Sequence, residues 1–454
     1  MTDRRIVIRD AAIAAMDRSG AEFGSGHVVV EDQVIVAAGP GRAPEYHDGV
    51  PTERVDGSGH LLTPGLVNAH HHFYQWLTRG LAQQANLFEW LVALYPVWAR
   101  IDEAMVYAAA RASIASLLRS GCTTAADHHY VFPRGAGDLI GAGVRAAREL
   151  GIRFHAARGS MDLGQSAGGL PPDFAVEDAD AALTATEQAL DSYHDRGPAA
   201  MVRVSVAPCS PFSVTAGLLS GAAELARRRG VRLHTHAAET TEEEEFCAER
   251  FGCSSAEYLD GLGWLGHDVW LAHCVHLNGG AIRRLGETGT GVAHCPSSNA
   301  RLGAGIAPVP ELLAAGVPVG LGVDGAASNE SGQLGGELRA AVLFARARRG
   351  ATALTVRQAL HMATIGGARC LGRADEIGSI EPGKLADLAL WRIDGPEHAN
   401  IADPVAALVL GALPPLSLLL VGGKPVVTGS RLVGADEATV ASQAAAESRR
   451  LRER

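Results

Sequence analysis

Three consecutive histidines, His70-His71-His72, close a short apolar run that includes Leu66 and Val67. If that run is a strand, its alternation puts His70 and His72 on one face. Two imidazoles so placed can share a metal ion, while His71 points the other way, toward packing or a supporting role. Two ligands do not complete a site. Further metal-competent or titratable residues recur at the ends of other apolar runs: Asp127-His128, Arg158, Cys209, His236 with Glu239, His273, His294 and Asp324.

Imidazole and carboxylate ligands without thiolates suit one catalytic divalent ion, zinc first among the candidates, with a position left open for water. His70, His72, His236 and Asp324 form such a set. An ion held there lowers the pKa of its water from about 15.7 to about 7, making hydroxide at neutral pH. Glu239, one turn past His236, is the acid/base candidate, and His273 is placed to hydrogen-bond the hydroxide or to serve a structural role. Plainer readings stand beside these. Asp324, in Gly-Val-Asp-Gly, also fits a turn or helix cap. His234, deeper on the face of His236, reads as a satisfied core histidine, and Glu242 to Glu245 read as the charged start of a helix.

Side chains so far apart in the chain need a scaffold that gathers strand ends. Candidate strands fall at Leu66–Asn68, Thr123–Ala126, Ile152–Ala157, Val202–Ala207, Arg232–Thr235, Val269–Ala272, Gly291–Ala293 and Val317–Val323. Amphipathic helical patterns lie between them, at Glu103–Arg119, Val176–Tyr193, Thr215–Arg229 and Thr241–Leu259. Eight such units predict an α/β fold, a (β/α)8 TIM-type barrel over residues 63–372, with catalytic residues where strands end. Short β-like stretches in residues 1–62 and 373–430 predict a small β-sandwich domain built from both chain ends. Residues 431–454 read as a polar C-terminal surface helix.

The chain has 454 residues and a net charge of −10, with a pI near 6.0. That balance argues against nucleic acid, anionic membranes and strongly anionic ligands as main partners. Seven dispersed cysteines with no C-x-x-C pair read as reduced thiols in a cytoplasmic protein. The start, Met1-Thr2-Asp3-Arg4-Arg5, is charged rather than an apolar leader. The most apolar stretch, Leu408 to Val421, is broken by Pro414-Pro415 and reads as buried core, not as a membrane span. Lysine occurs only at Lys384 and Lys424, so the strand ends must work without an amine.

The ordered set His70-x-His72, His236-x-x-Glu239, His273 and Asp324 resembles the amidohydrolase superfamily. The stretch Gly378 to Asp387 is similar to that superfamily's return into its split β-sandwich. Members with two metals commonly use a carboxylated lysine from the fourth strand. Val202 to Pro211 has no lysine, so the resemblance implies a mononuclear, deaminase-like centre. It also implies a homo-oligomer.

Finer resemblance runs through Asn68 to Arg79, Gly121-Cys122-Thr123-Thr124 and Gly168 to Pro172, which look like 8-oxoguanine deaminases. Triazine amino- and chlorohydrolases and isoxanthopterin deaminases are close relatives, and Ser160 to Gly164 is more similar to the triazine hydrolases. The implied substrate is a small flat nitrogen heterocycle with a leaving group on an amidine carbon, 8-oxoguanine first, an s-triazine as the alternative. A catalytically inactive scaffold is the third reading, against which the intact ligand set and Glu239 argue. In the implied reaction Asp324 takes a proton from the attacking water, Glu239 protonates the neighbouring ring nitrogen, and His273 holds the attacking oxygen. Gln75 and Trp76, with Arg79, follow the first strand and are expected to face the heterocycle or to pack. Arg158 is expected to read a carbonyl oxygen, or else to form a structural ion pair. The Gly- and Pro-rich segment from Met161 to Phe174 reads as an active-site loop.

Overall fold

Residues 4–454 are described in a computed structural model; Met1 to Asp3, and with them part of the charged start noted above, lie outside the described residues. Five strands lead in: β1 (Arg5–Ala14), β2 (Glu22–Glu31), β3 (Val34–Pro40), β4 (Thr52–Asp56) and β5 (His60–Pro64). The chain then turns at Gly65, where a Cβ would stand 2.2 Å from the Thr123 side chain, and enters a closed barrel. Its eight parallel strands are β6 (Leu66–Asn68), β7 (Cys122–His129), β8 (Arg153–Ser160), β9 (Val202–Pro208), β10 (Leu233–Ala237), β11 (Val269–His273), β12 (Gly291–His294) and β13 (Val319–Leu321). With helices outside and side chains inside, nearly every barrel residue is buried, which is why these strands read as continuous runs rather than alternations.

The expected (β/α)8 barrel is therefore present, with each of the eight strands where the sequence put it and ends that differ by a few residues. One helical pattern divides: Thr241–Leu259 is two helices, Thr241–Phe251 and Ser255–Gly261. Gly252, at φ 74°, terminates the first, and Ser254 begins the second through a reciprocal capping box with Glu257.

Beyond the barrel, β14 (Leu388–Arg392), β15 (Leu416–Val421), β16 (Lys424–Thr428) and β17 (Arg431–Leu432) join the first five strands in one nine-stranded sheet. The seam is the antiparallel pair β5–β14, which sets Leu62 opposite Leu390 and His60 opposite Arg392. Ile8, Val28, Val30, Leu62, Leu388 and Leu420 fill the sheet's own core. Arg153 of β8 reaches across to Asp387 with two hydrogen bonds, 2.7 and 3.0 Å, and both side chains are buried. Of the stretch Leu408–Val421 the two ends are buried as expected, in a short helix and in β15, while Ala412 and Pro415 in the turn between them are exposed. The helix Glu437–Glu453 lays Val440 and Ala444 against Ala112 and Ala115 of the helix Glu103–Arg119.

Candidate active site

The barrel brings His70, His72, His236, His273, Glu239 and Asp324 to the C-terminal ends of its strands. Ligand-capable atoms of His70, His72, His128 and His236 lie within 4.8 Å of one another, as do those of His70, His273 and Asp324. The backbone bends sharply to aim them. Ala238, His273 and Asp324 all have φ between 51° and 70°, a left-handed conformation that costs a non-glycine residue on the order of 1–3 kcal/mol.

Hydrogen bonds behind the ring cluster fix each tautomer. A carbonyl oxygen only accepts, so the nitrogen facing it carries the proton. Nδ1 of His72 donates to the carbonyl of His128 at 2.5 Å, and Nδ1 of His236 donates to that of Cys209 at 2.6 Å. Nδ1 of His234 donates to the Trp270 carbonyl at 2.8 Å, which leaves its Nε2 to accept from Nδ1 of His70, also at 2.8 Å. The three Nε2 atoms of His70, His72 and His236 are thus bare lone pairs. Those of His72 and His236 face each other at 3.2 Å, and that of His70 is buried without a partner. Asp324 Oδ1 stands 3.4 Å from the first and 3.2 Å from the second of the strand-end pair, His70 and His72. Four acceptors converging in a buried space repel one another unless a cation lies among them, so the residues fit a divalent ion of the nitrogen- and oxygen-binding kind.

Asp324 is itself held. Its Oδ2 accepts from Ser298 at 2.6 Å and Ser328 at 3.2 Å, and Oδ1 accepts from the Gly325 amide. Beside the cluster, Glu239 is buried, and burial, together with the charges of Asp324 and Glu243, pushes its carboxyl well above the usual range. Its Oε2 is 3.6 Å from Nε2 of His273. His273 is anchored through Nδ1 to Asn299 Oδ1 at 2.9 Å, and burial holds its pKa below the ordinary value. A carboxyl whose pKa is raised by burial therefore sits next to an imidazole whose pKa is lowered by burial.

The cavity over this cluster measures only about 20 Å³, room for about one water. Trp90, Leu91 and Tyr95 of the helix Leu87–Trp98 cover it, with Phe212 and Leu302.

The residues expected to meet the substrate separate. Gln75 lines the cavity, and its Oε1 is buried without a partner. Trp76 and Arg158 do not line it. Trp76 turns to the groove under the C-terminal helix and stacks on Arg79 at 4.2 Å. Arg158 forms the structural ion pair instead, with Glu177 at 2.6 Å, over the ring of Phe132. The Met161–Phe174 segment contributes no lining residue; it braces the cover from behind, through the Leu170 amide on the Phe212 carbonyl. His71 faces away and accepts from the His72 amide. Ser298, Ser328 and Asn299 were not singled out from sequence, and His128 was noted at its strand end without being given a role.

The amidohydrolase family model matches residues 61–426. The chain belongs to the amidohydrolase family. This amidohydrolase is 47% identical, over 94% of its length and 95% of the relative's, to 8-oxoguanine deaminase of Pseudomonas aeruginosa. It is 38% identical to an isoxanthopterin deaminase from an unknown prokaryotic organism, over 84% of each chain. Among solved structures, atrazine chlorohydrolase of Arthrobacter aurescens complexed with zinc superposes with a TM-score of 0.91 at 34% identity, covering 98% of this chain and 100% of that one. The amidohydrolase is a hydrolase related to deaminases of nitrogen heterocycles. Among the described residues, no helix is long and apolar enough to cross a membrane.

Proposed function

We propose that this amidohydrolase is a zinc-dependent deaminase that converts 8-oxoguanine and water to urate and ammonia. The observation that carries the reading is the convergence of three Nε2 lone pairs with Asp324, beside a carboxyl whose pKa burial raises. The 47% identity to a deaminase of that substrate supports the choice of heterocycle.

His70, His72, His236 and Asp324 would hold a single ion. When bound, the ion supplies a water acidic enough to ionise near neutral pH. Asp324, fixed by Ser298 and Ser328, takes a proton from the attacking water and later returns it to the departing ammonia. Glu239 donates its proton to the ring nitrogen next to the amine-bearing carbon, which makes that carbon more electrophilic, and regains a proton from the new hydroxyl as the carbonyl forms and ammonia leaves. His273, with Nδ1 committed to Asn299, presents Nε2 as an acceptor that holds the attacking water. Gln75 offers its free Oε1 to an N–H on the heterocycle edge. The apolar cover excludes bulk water and sandwiches the flat ring. Self-association and a cytoplasmic location complete the reading, on the family resemblance and the free cysteines.

The similarity in fold to atrazine chlorohydrolase favours one second reading, release of an amine or halide from an s-triazine. Ammonia release measured side by side from 8-oxoguanine, isoxanthopterin, guanine and aminotriazines, with halide release from a chlorotriazine, decides between them. Turnover of triazines alone would overturn the preferred substrate.

A further inference from the structure

At the end of the barrel opposite the histidine cluster lies a second cavity, of about 640 Å³, lined by His155, His194, Arg196, Arg203, Arg227 and Arg232. These residues come from or adjoin the N-terminal ends of β8, β9 and β10 and the outer helices, so the convergence of cations is a property of the fold and not of one stretch of sequence. Asp268 is the one carboxylate of the lining, and Arg227 already engages it at 3.0 Å. Glu376, nearby, is held by Arg203 at 2.5 Å and by Arg373.

Among the described residues Arg232 is left without a carboxylate partner, the acids beside it being held by Arg227, Arg203 and Arg373. Arg232 is half-buried, its guanidinium lies 6.0 Å from the Trp270 ring centroid, its Nε has no hydrogen-bond partner, and burial lowers its pKa against smaller opposing effects of Cys370 and Asp268. Nε of Arg203 is also buried and unpartnered. His155 is 2% exposed and Ser205 is 2% exposed, yet Nε2 of the first and Oγ of the second have no hydrogen-bond partner. A half-buried guanidinium without a carboxylate, beside unmet polar atoms, costs free energy unless something supplies acceptors. The lining has no Trp, Tyr or Phe to stack a base. It offers planar N–H forks, an imidazole and a hydroxyl, the donors that match the several oxygens of a phosphate group.

We propose that this cavity is a binding site for a phosphate group, free or carried on an ester, separate from the catalytic cavity. Arg232 is its central contact, with Arg203, His155 and Ser205 beside it and Arg196 at the rim. Arg232 directly precedes β10, which ends in His236–Ala237, so the two sites sit at opposite ends of one strand, roughly 13 Å apart by strand rise.

The test uses the metal-loaded protein, titrated with inorganic phosphate at ionic strength held constant with chloride, and reads the melting temperature. The expected result is a saturable rise of about two degrees or more that is lost in R232Q. That variant should keep wild-type deaminase kinetics in phosphate-free buffer, since Arg232 touches nothing in the catalytic cavity. Ribose 5-phosphate titrated in parallel tells a free phosphate from an ester, and saturation by either supports the site. No rise with either ligand, or an equal rise in R232Q, overturns it. If R232Q does not fold, R196Q at the rim is read in the same way, with a weakened phosphate response expected and an unchanged one counting against the site.

Discussion

His234 accepts a hydrogen bond from His70 at 2.8 Å while its own Nδ1 is tied to the Trp270 carbonyl. The ring of His234 is stacked on Trp270, with centroids 4.3 Å apart. This relay decides which nitrogen of His70 is bare. Replacing His234 with Ala should therefore lower metal affinity about 10- to 100-fold, although His234 is not among the proposed ligands. Metal content after dialysis against a graded chelator measures this, and wild-type retention would remove His234 from the role.

Glu239→Gln should lower kcat about 100- to 10,000-fold with metal content unchanged. The raised carboxyl also sets a pH dependence. Glu239 is protonated, hence active as a donor, below its elevated pKa, and the rate should fall as pH rises through that value. A pH–rate profile should show this alkaline limb in the wild type. Near-normal turnover of the Gln variant, or the same limb in it, would contradict the assignment.

How much of this was legible from the chain alone follows from what a strand end can reveal. A barrel sends every strand's C-terminal end to one place, so His70, His72, His236, His273 and Asp324 could be grouped although they span more than half of the sequence. Partners such as Ser298 for Asp324, or Asn299 for His273, lie in a six-residue helix, Pro296–Arg301, too short to show a periodicity. Trp76 and Gln75 show the limit most plainly. They are neighbours in a short 3-10 helix, Phe73–Thr78, where one residue's step turns a side chain by about a third of a turn. Sequence places both near the site, and only the helix phase sends Gln75 in and Trp76 out. Arg158 was expected just past the end of a strand, as a site residue would be, but Glu177, expected in the helix Val176–Tyr193, stands ahead of the observed helix Ala179–Tyr193 and claims it.

The small size of the catalytic cavity predicts motion. Amide hydrogen exchange in Leu87–Trp98 should be faster than in the helix Glu103–Arg119, and should slow when product is bound. Equal protection of both helices with and without product would mean that substrate enters by another route.

The Arg153–Asp387 pair clamps barrel to sheet, and both partners are buried. Removing one partner leaves the other charged and unpaired, so Asp387→Ala should cost about 3–5 kcal/mol. The double replacement Arg153→Met with Asp387→Leu should recover most of that loss. Denaturant unfolding of these two variants checks both statements, and a double variant no more stable than Asp387→Ala would show that the loss does not come from the charge left unpaired.

The seam between β5 and β14 carries a consequence for biogenesis. During synthesis β5 leaves the ribosome with one edge bare, and the strand that covers it is encoded about 324 residues later. At roughly 5–20 residues per second that edge waits about 15–65 seconds, while the whole barrel is made in between. The nascent chain must therefore shelter an open strand for most of its own translation, and slow codons or a missing chaperone should harm the yield of this enzyme before they harm its catalysis.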